Sequence, residues 1–86
     1  MPTISQFYGI TIRMYFDEHP PPHFHAYYGK DAAKIDIDTL EITEGKLRRR
    51  PLGLVLEWAV EHREELRENW RRAEAHLPLN EIEPLE

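Results

Sequence analysis

Apolar and polar positions alternate with period two over residues 9–16, where Ile10, Ile12, Met14 and Phe16 oppose Thr11, Arg13 and Tyr15; this pattern predicts a half-buried strand. Ala33, Ile35 and Ile37 alternate in the same way with Lys34, Asp36 and Asp38, which predicts a strand over 32–38. The aromatic run 23–28 precedes it, and Gly29, Lys30 and Asp31 supply the turn chemistry that makes the two a hairpin. Residues 40–43 predict a short further strand ending at Glu44 and Gly45, and Pro20, Pro21 and Pro22 form a stiff connector between the first two strands. From Pro51 the period changes to 3.6, with Leu52, Leu56, Ala59, Leu66, Trp70 and Ala73 on one stripe. The expected architecture is α+β: a three- to four-stranded antiparallel sheet with one long helix, residues 51–76, on one face.

Such a helix would be about 39 Å long at about 1.5 Å per residue, whereas a compact chain of this size is only about 30 Å across. It would overhang its sheet. Leu54 and Trp58 fall off the stripe, and the tail holds Leu77, Leu79, Ile82 and Leu85. Either the tail folds back over these residues or Leu54 and Trp58 are a contact for another chain, a second copy or a different protein.

With 86 residues the chain is one domain: a β region over 1–45, a basic linker over 46–50, the helix over 51–76 and a tail over 77–86. It has no cysteine, so thiol catalysis and thiolate metal sites are excluded, and the composition suits a reducing cytoplasm. The first ten residues show no export signal, and no apolar run is long enough to span a membrane. We therefore expect a cytoplasmic protein with no membrane partner. The net charge of −5 argues against general nucleic-acid binding, although residues 46–50 carry four basic side chains and no acidic one.

The densest chemistry lies in residues 17–28, DEHPPPHFHAYY. On an extended strand His23, His25 and Tyr27 share one face, while Phe24 and Ala26 share the other with Ala33, Ile35 and Ile37. Keeping the apolar faces together requires a hairpin loop of two or four residues. The shorter loop sets His23 opposite Asp36 and His25 opposite Lys34; the longer one sets His25 opposite Asp36. Arg13 and Tyr15 occupy the polar face of their own strand and complete a cluster of His23, His25, Tyr27, Asp36, Arg13 and Tyr15.

The cluster admits three readings. It can be a metal site, with His23 and His25 converging on a divalent ion such as zinc and Asp36 or His19 as third ligand. It can be a metal-independent acid/base site needing no cofactor, with Arg13 stabilising negative charge on a phosphate. It can also be simply the wet face of an antiparallel sheet. Separately, Lys46, Arg48, Arg49 and Arg50 precede Pro51 at a helix start. They oppose the helix dipole there, so the cluster has a candidate role as an anion or nucleic-acid docking site.

The segments FYGITIRMYF, HPPPHFHAYYG, IDIDTLEITEGKL and LVLEWAVEHREELRENW, with the terminal PL, resemble the small bacterial family called domain of unknown function 4160 over essentially the whole chain. The chain departs from the family pattern at Arg48, where proline is common, and at Pro51, where alanine is common. The resemblance implies a short cytoplasmic protein encoded beside a partner of the domain of unknown function 2442 type, in a toxin–antitoxin-like pair. The expectation that follows is a toxin-like half acting as a ribonuclease. His23 and His25 would have acid/base roles supported by Asp36, Arg13 and Tyr15 would contact phosphate, and Arg48 to Arg50 would dock the RNA backbone. The alternative is a non-catalytic regulatory module whose histidines hold a metal or a partner.

Overall fold

The structure, a computed structural model describing residues 2–86, is a five-stranded antiparallel meander in the order β1 (Thr3–Phe7), β2 (Ile10–Arg13), β3 (His23–Tyr28), β4 (Asp31–Asp36) and β5 (Ile42–Lys46). Two helices, α1 (Arg49–Glu61) and α2 (Arg63–Glu74), follow. The α+β class stands as expected; the strand count and the single helix are corrected.

The additional strand is β1. Its alternation is hidden because the register slips between Thr3 and Ser5, so that Ile4 and Ser5 are both buried. Such a bulge breaks the period of two on which the sequence pattern depends. A two-residue turn, Tyr8–Gly9, joins β1 to β2 with positive φ at both positions, 51° and 79°. This is the geometry that matches the strand twist, but tyrosine in place of the usual asparagine or aspartate conceals it. Gly45 is not the end of a strand but lies inside β5 at φ 77°, where a Cβ would sit 2.1 Å from the Ala32 carbonyl oxygen.

The helical stripe keeps one phase through both helices, burying Pro51, Val55, Trp58 and Ala59, then Leu66, Asn69, Trp70 and Ala73. The chain leaves the helical conformation only at His62 (φ −119°, ψ 23°), whose ring meets the Glu65 carboxylate one turn into α2. No proline or glycine marks the break. Bending there, the stripe follows the sheet instead of overhanging it, and the molecule measures 33 × 26 × 22 Å. The buried face is also rotated from the expected one. Trp58 lies at its centre, fully buried against Phe7 and Phe24 at ring separations of 5.4 and 6.0 Å, while Leu52 and Leu56 are only half-buried.

The tail folds back. The Trp58 indole N–H donates to the Glu83 carbonyl (2.8 Å), the Asn69 side chain brackets the Asn80 backbone with two bonds of 2.9 Å, and Ile82 donates to the Ile4 carbonyl (2.8 Å). Trp58 is therefore satisfied within its own chain, and Leu54 packs on the same core. The expected partner contact through Leu54 and Trp58 is corrected at Trp58, which belongs to the interior; Leu54 is half-buried against the core, and the helix does not overhang its sheet. Among the described residues no helix is long and apolar enough to cross a membrane.

Candidate metal centre

The β3–β4 hairpin turns through the two residues Gly29 and Lys30, so Tyr28 pairs with Asp31, His23 with Asp36 and His25 with Lys34. This is the shorter-loop register. It buries Phe24, Ala26, Ala33 and Ile35 on the helix side and turns His25 and Tyr27 to the opposite face. His23 shares that face but lies at the strand's start, where Trp70 of α2 reaches its ring (5.1 Å between centroids) and leaves the side chain 2 % exposed.

The segment 14–22 leaves β2 and returns to β3, anchored by Met14 N–H to the Pro2 carbonyl (3.2 Å) and by Ile37 N–H to the Pro22 carbonyl (3.0 Å). It carries Glu18 directly onto the histidines. Glu18 Oε1 lies 3.0 Å from His23 Nε2 and 2.8 Å from His25 Nε2. The three side chains each offer one ligand atom, all within 4.8 Å of one another. Burial pushes the Glu18 carboxyl up, but the hydrogen bond and charge of His25, then those of His23, together outweigh it and hold the group below its ordinary value.

Counting protons sharpens the arrangement. His23 Nδ1 is 2.9 Å from the Pro21 carbonyl oxygen, which can only accept, so Nδ1 carries a hydrogen and donates. In the neutral ring Nε2 then presents a lone pair to Glu18 Oε1, and only an additional proton or a cation makes that approach favourable. A ring nitrogen tied to a backbone carbonyl, with its other nitrogen free to coordinate, is the usual state of a metal-ligating histidine.

Of the residues singled out in the sequence, the structure brings together His23, His25, Tyr15, Tyr27 and Arg13. Tyr15 Oη and Tyr27 Oη are 2.7 Å apart, Tyr15 meets His25 edge-on at 4.9 Å, and the Arg13 guanidinium lies 5.4 Å over the Tyr27 ring. Burial, followed by the Tyr15 hydrogen bond, raises the Tyr27 hydroxyl to about 12. Asp36 is opposite His23 in register, but its Oδ1 accepts the backbone N–H groups of Asp38 (2.7 Å) and Thr39 (2.9 Å) and serves the turn after β4. His19 is exposed and outside the cluster. The acid that meets both histidines is Glu18, which sequence reasoning passed over because it is five residues from His23 on an irregular segment; its acid character within DEHPPPHFH was the only available signal.

The basic cluster sits elsewhere. Arg48 precedes α1 and pairs with Asp31 (Nε to Oδ2, 3.3 Å), and Lys46, Arg49 and Arg50 are exposed. Asp31 marks the turn end of the hairpin and His23 its far end, about 17 Å away at about 3.3 Å per residue.

A family model described as Domain of unknown function (DUF4160) matches residues 9–71. No curated protein and no solved structure matches the chain.

Proposed function

The chain belongs to the DUF4160 family, and we propose that it is a metal-responsive regulatory module whose Glu18, His23 and His25 hold one divalent transition-metal ion such as zinc. The observation that carries this reading is the convergence of His23 Nε2 and His25 Nε2 on a single carboxylate oxygen, with His23 Nδ1 already committed to the Pro21 carbonyl. Two imidazole nitrogens and one carboxylate oxygen suit zinc and its first-row neighbours rather than calcium or magnesium, which prefer all-oxygen shells. The histidines belong to β3 and the carboxylate to the segment 14–22, so an ion would clamp that segment onto the sheet. Occupancy would thereby set the segment's position.

The two-histidine acid/base scheme draws less support from the same geometry. His23 is enclosed against Trp70 and only 2 % exposed, with Nδ1 on the Pro21 carbonyl and Nε2 turned towards Glu18, so a substrate has no open approach to its ring. One observation favours the second reading, a toxin-like half that acts on RNA and is restrained by a partner protein of the domain of unknown function 2442 type: Lys46, Arg49 and Arg50 are exposed and have no carboxylate partner among the described residues.

Zinc titration of the purified chain against a chromophoric competitor separates the two. Tight binding at one ion per chain, abolished in His25→Ala and Glu18→Ala, is the expected result. Absence of stoichiometric binding, together with growth arrest on expression that His25→Ala leaves intact and Arg49→Ala/Arg50→Ala relieves, would transfer the argument to RNA.

A further inference from the structure

The meander aligns one residue from each strand in a lateral row: Thr3 opposite Arg13, Arg13 opposite His25, His25 opposite Lys34 and Lys34 opposite Glu44. Directly opposed residues of an antiparallel pair share a face and stand about 5 Å apart. The candidate ligand His25 is therefore flanked by a guanidinium on one side and an ammonium on the other, on the sheet face that carries no helix.

The hydrogen-bonding capacity of this row is unfilled. Arg13 spends Nε on Thr3 Oγ1 (3.2 Å), and its two terminal nitrogens have no partner among the described residues. Tyr15 and Tyr27 share one bond between their hydroxyls at 2.7 Å, so of their two hydroxyl hydrogens only one is consumed and the other is left to donate outward. Beside the metal centre there is thus a set of groups that donate, two of them cationic, while Lys34 at 3.9 Å offsets Glu44 at the row's edge.

The other side of the centre has the opposite character. A cavity of about 300 Å³ between the segment 14–22 and α2 is lined by Tyr15, Asp17, Glu18, Trp70, Ala73 and Glu74. Its carboxylates repel anions, which leaves the sheet face as the approach for one.

The geometry points to a phosphoryl-binding site built on the metal centre: a phosphate group completing the ion's coordination through one oxygen and taken through a second by the terminal nitrogens of Arg13, with the free tyrosine hydroxyl and Lys34 beside it. This inference rests on the metal reading and names the ligand class of the same site. A divalent ion with one carboxylate and two neutral imidazoles keeps a single positive charge, and Arg13 raises the local charge to two, Lys34 being offset by Glu44. A dianionic phosphate matches that total better than a monoanionic carboxylate, and the arginine fork fits two phosphate oxygens.

Cobalt(II) reports both levels, because its visible spectrum records binding to the protein and any change in its remaining ligand. Cobalt is titrated into the metal-free chain, and the loaded protein is then titrated with inorganic phosphate, dimethyl phosphate and acetate. The expected result is a spectral change with phosphate, at least tenfold tighter than with acetate or the monoanionic diester. Arg13→Gln should weaken phosphate about tenfold or more at unchanged cobalt affinity, since it removes a charge-assisted fork and no ligand. Lys34→Gln, at a position where only a charge is lost, should weaken it severalfold and provides the same test if Arg13→Gln proves unstable. Failure of cobalt to bind the unmodified chain overturns the metal reading and this inference with it. Normal cobalt binding with no phosphate response, with acetate binding as tightly, or with phosphate affinity unchanged in both variants, overturns this inference alone.

Discussion

Replacing Glu18 with alanine should have two separable effects, and their ratio tests the metal centre. In metal-free protein the carboxylate joins both imidazoles at 2.8 and 3.0 Å. Hydrogen bonds involving a charged group contribute about 1.5–3 kcal/mol each when buried, but this side chain is 26 % exposed, so the pair together contributes roughly 1–3 kcal/mol. For a domain of this size that lowers Tm by roughly 5–20 °C. Zinc adds to the native state alone: at a hundred times its Kd it stabilises the unsubstituted chain by about 2.7 kcal/mol, or roughly 10–20 °C. If loss of one ligand in three weakens binding a hundredfold, the same zinc concentration stabilises Glu18→Ala by only about 0.4 kcal/mol. Calorimetric unfolding of both proteins, in EDTA and in zinc, should therefore show a Tm gap that widens by about 10 °C or more when zinc is present. An equal gap in the two media, with zinc raising both proteins alike, would refute the argument, because the ion would then be bound somewhere that does not include Glu18.

Removing residues 77–86 strips Ile82 from the core and breaks six hydrogen bonds: those donated by Trp58, Asn69, Asn80 and Ile82, which tie the tail to the core, and the more peripheral ones from Leu77 to the Arg72 carbonyl and from Arg72 to the Pro78 carbonyl. The loss is about 4–9 kcal/mol against a total stability of about 4–13 for a chain of this length, so circular dichroism should show no cooperative unfolding transition, and an unchanged Tm would contradict the folded-back tail. Gly45→Ala should destabilise by about 3 kcal/mol or more, since its Cβ meets the Ala32 carbonyl oxygen at 2.1 Å and φ is 77°, whereas Gly53→Ala, in an open helical position, should stabilise by up to about 1 kcal/mol; both are read from urea unfolding. Tyr27 ionises near 12 in the folded state against about 10 unfolded, so its contribution to stability is intact below pH 10 and is lost as pH rises towards 12. Ultraviolet titration should resolve one late tyrosine, and Tyr15→Phe, which removes a hydrogen bond that raises it, should move that step to lower pH.

What the sequence made legible is what rests on undisturbed periodicity. β2, β3 and β4 alternate with period two, and requiring Phe24, Ala26, Ala33 and Ile35 to share one face left only two registers, one of which is adopted. β1 escaped because its bulge at Thr3 and Ser5 destroys that period, and because a Tyr–Gly turn resembles no common hairpin signature. The break at His62 escaped for a different reason. The apolar stripe runs through it in phase, so the pattern is the one a straight helix would give, and no proline or glycine marks the site. Trp58 was misplaced by following Leu52 and Leu56. Large aromatic side chains claim the centre of a small core because they bury the most area, and here the helix rotates to seat the indole against Phe7 and Phe24.

The site divides along the same line. The residues placed by strand geometry, His23, His25, Tyr27 and Arg13, were visible as one face, whereas the acid bonded to the two histidines is Glu18 and not Asp36, because pairing in register does not decide what a short carboxylate bonds to. Asp36 has two backbone N–H groups within reach at the turn after β4, a local demand met at little entropic expense. That leaves the histidines to an acid brought from outside the sheet. The irregular segment that brings it lies between an anchor at Met14 and another at Pro22, and Pro20, Pro21 and Pro22 shorten the set of paths it can take. The prolines that made this stretch look like a mere connector thus restrict the chain that sets Glu18 against two imidazoles. A side chain delivered by such a segment can be repositioned by a bound ion more readily than one fixed in a strand, which is why the metal reading assigns the response to residues 14–22 and the recognition of an anion to the rigid row of the sheet.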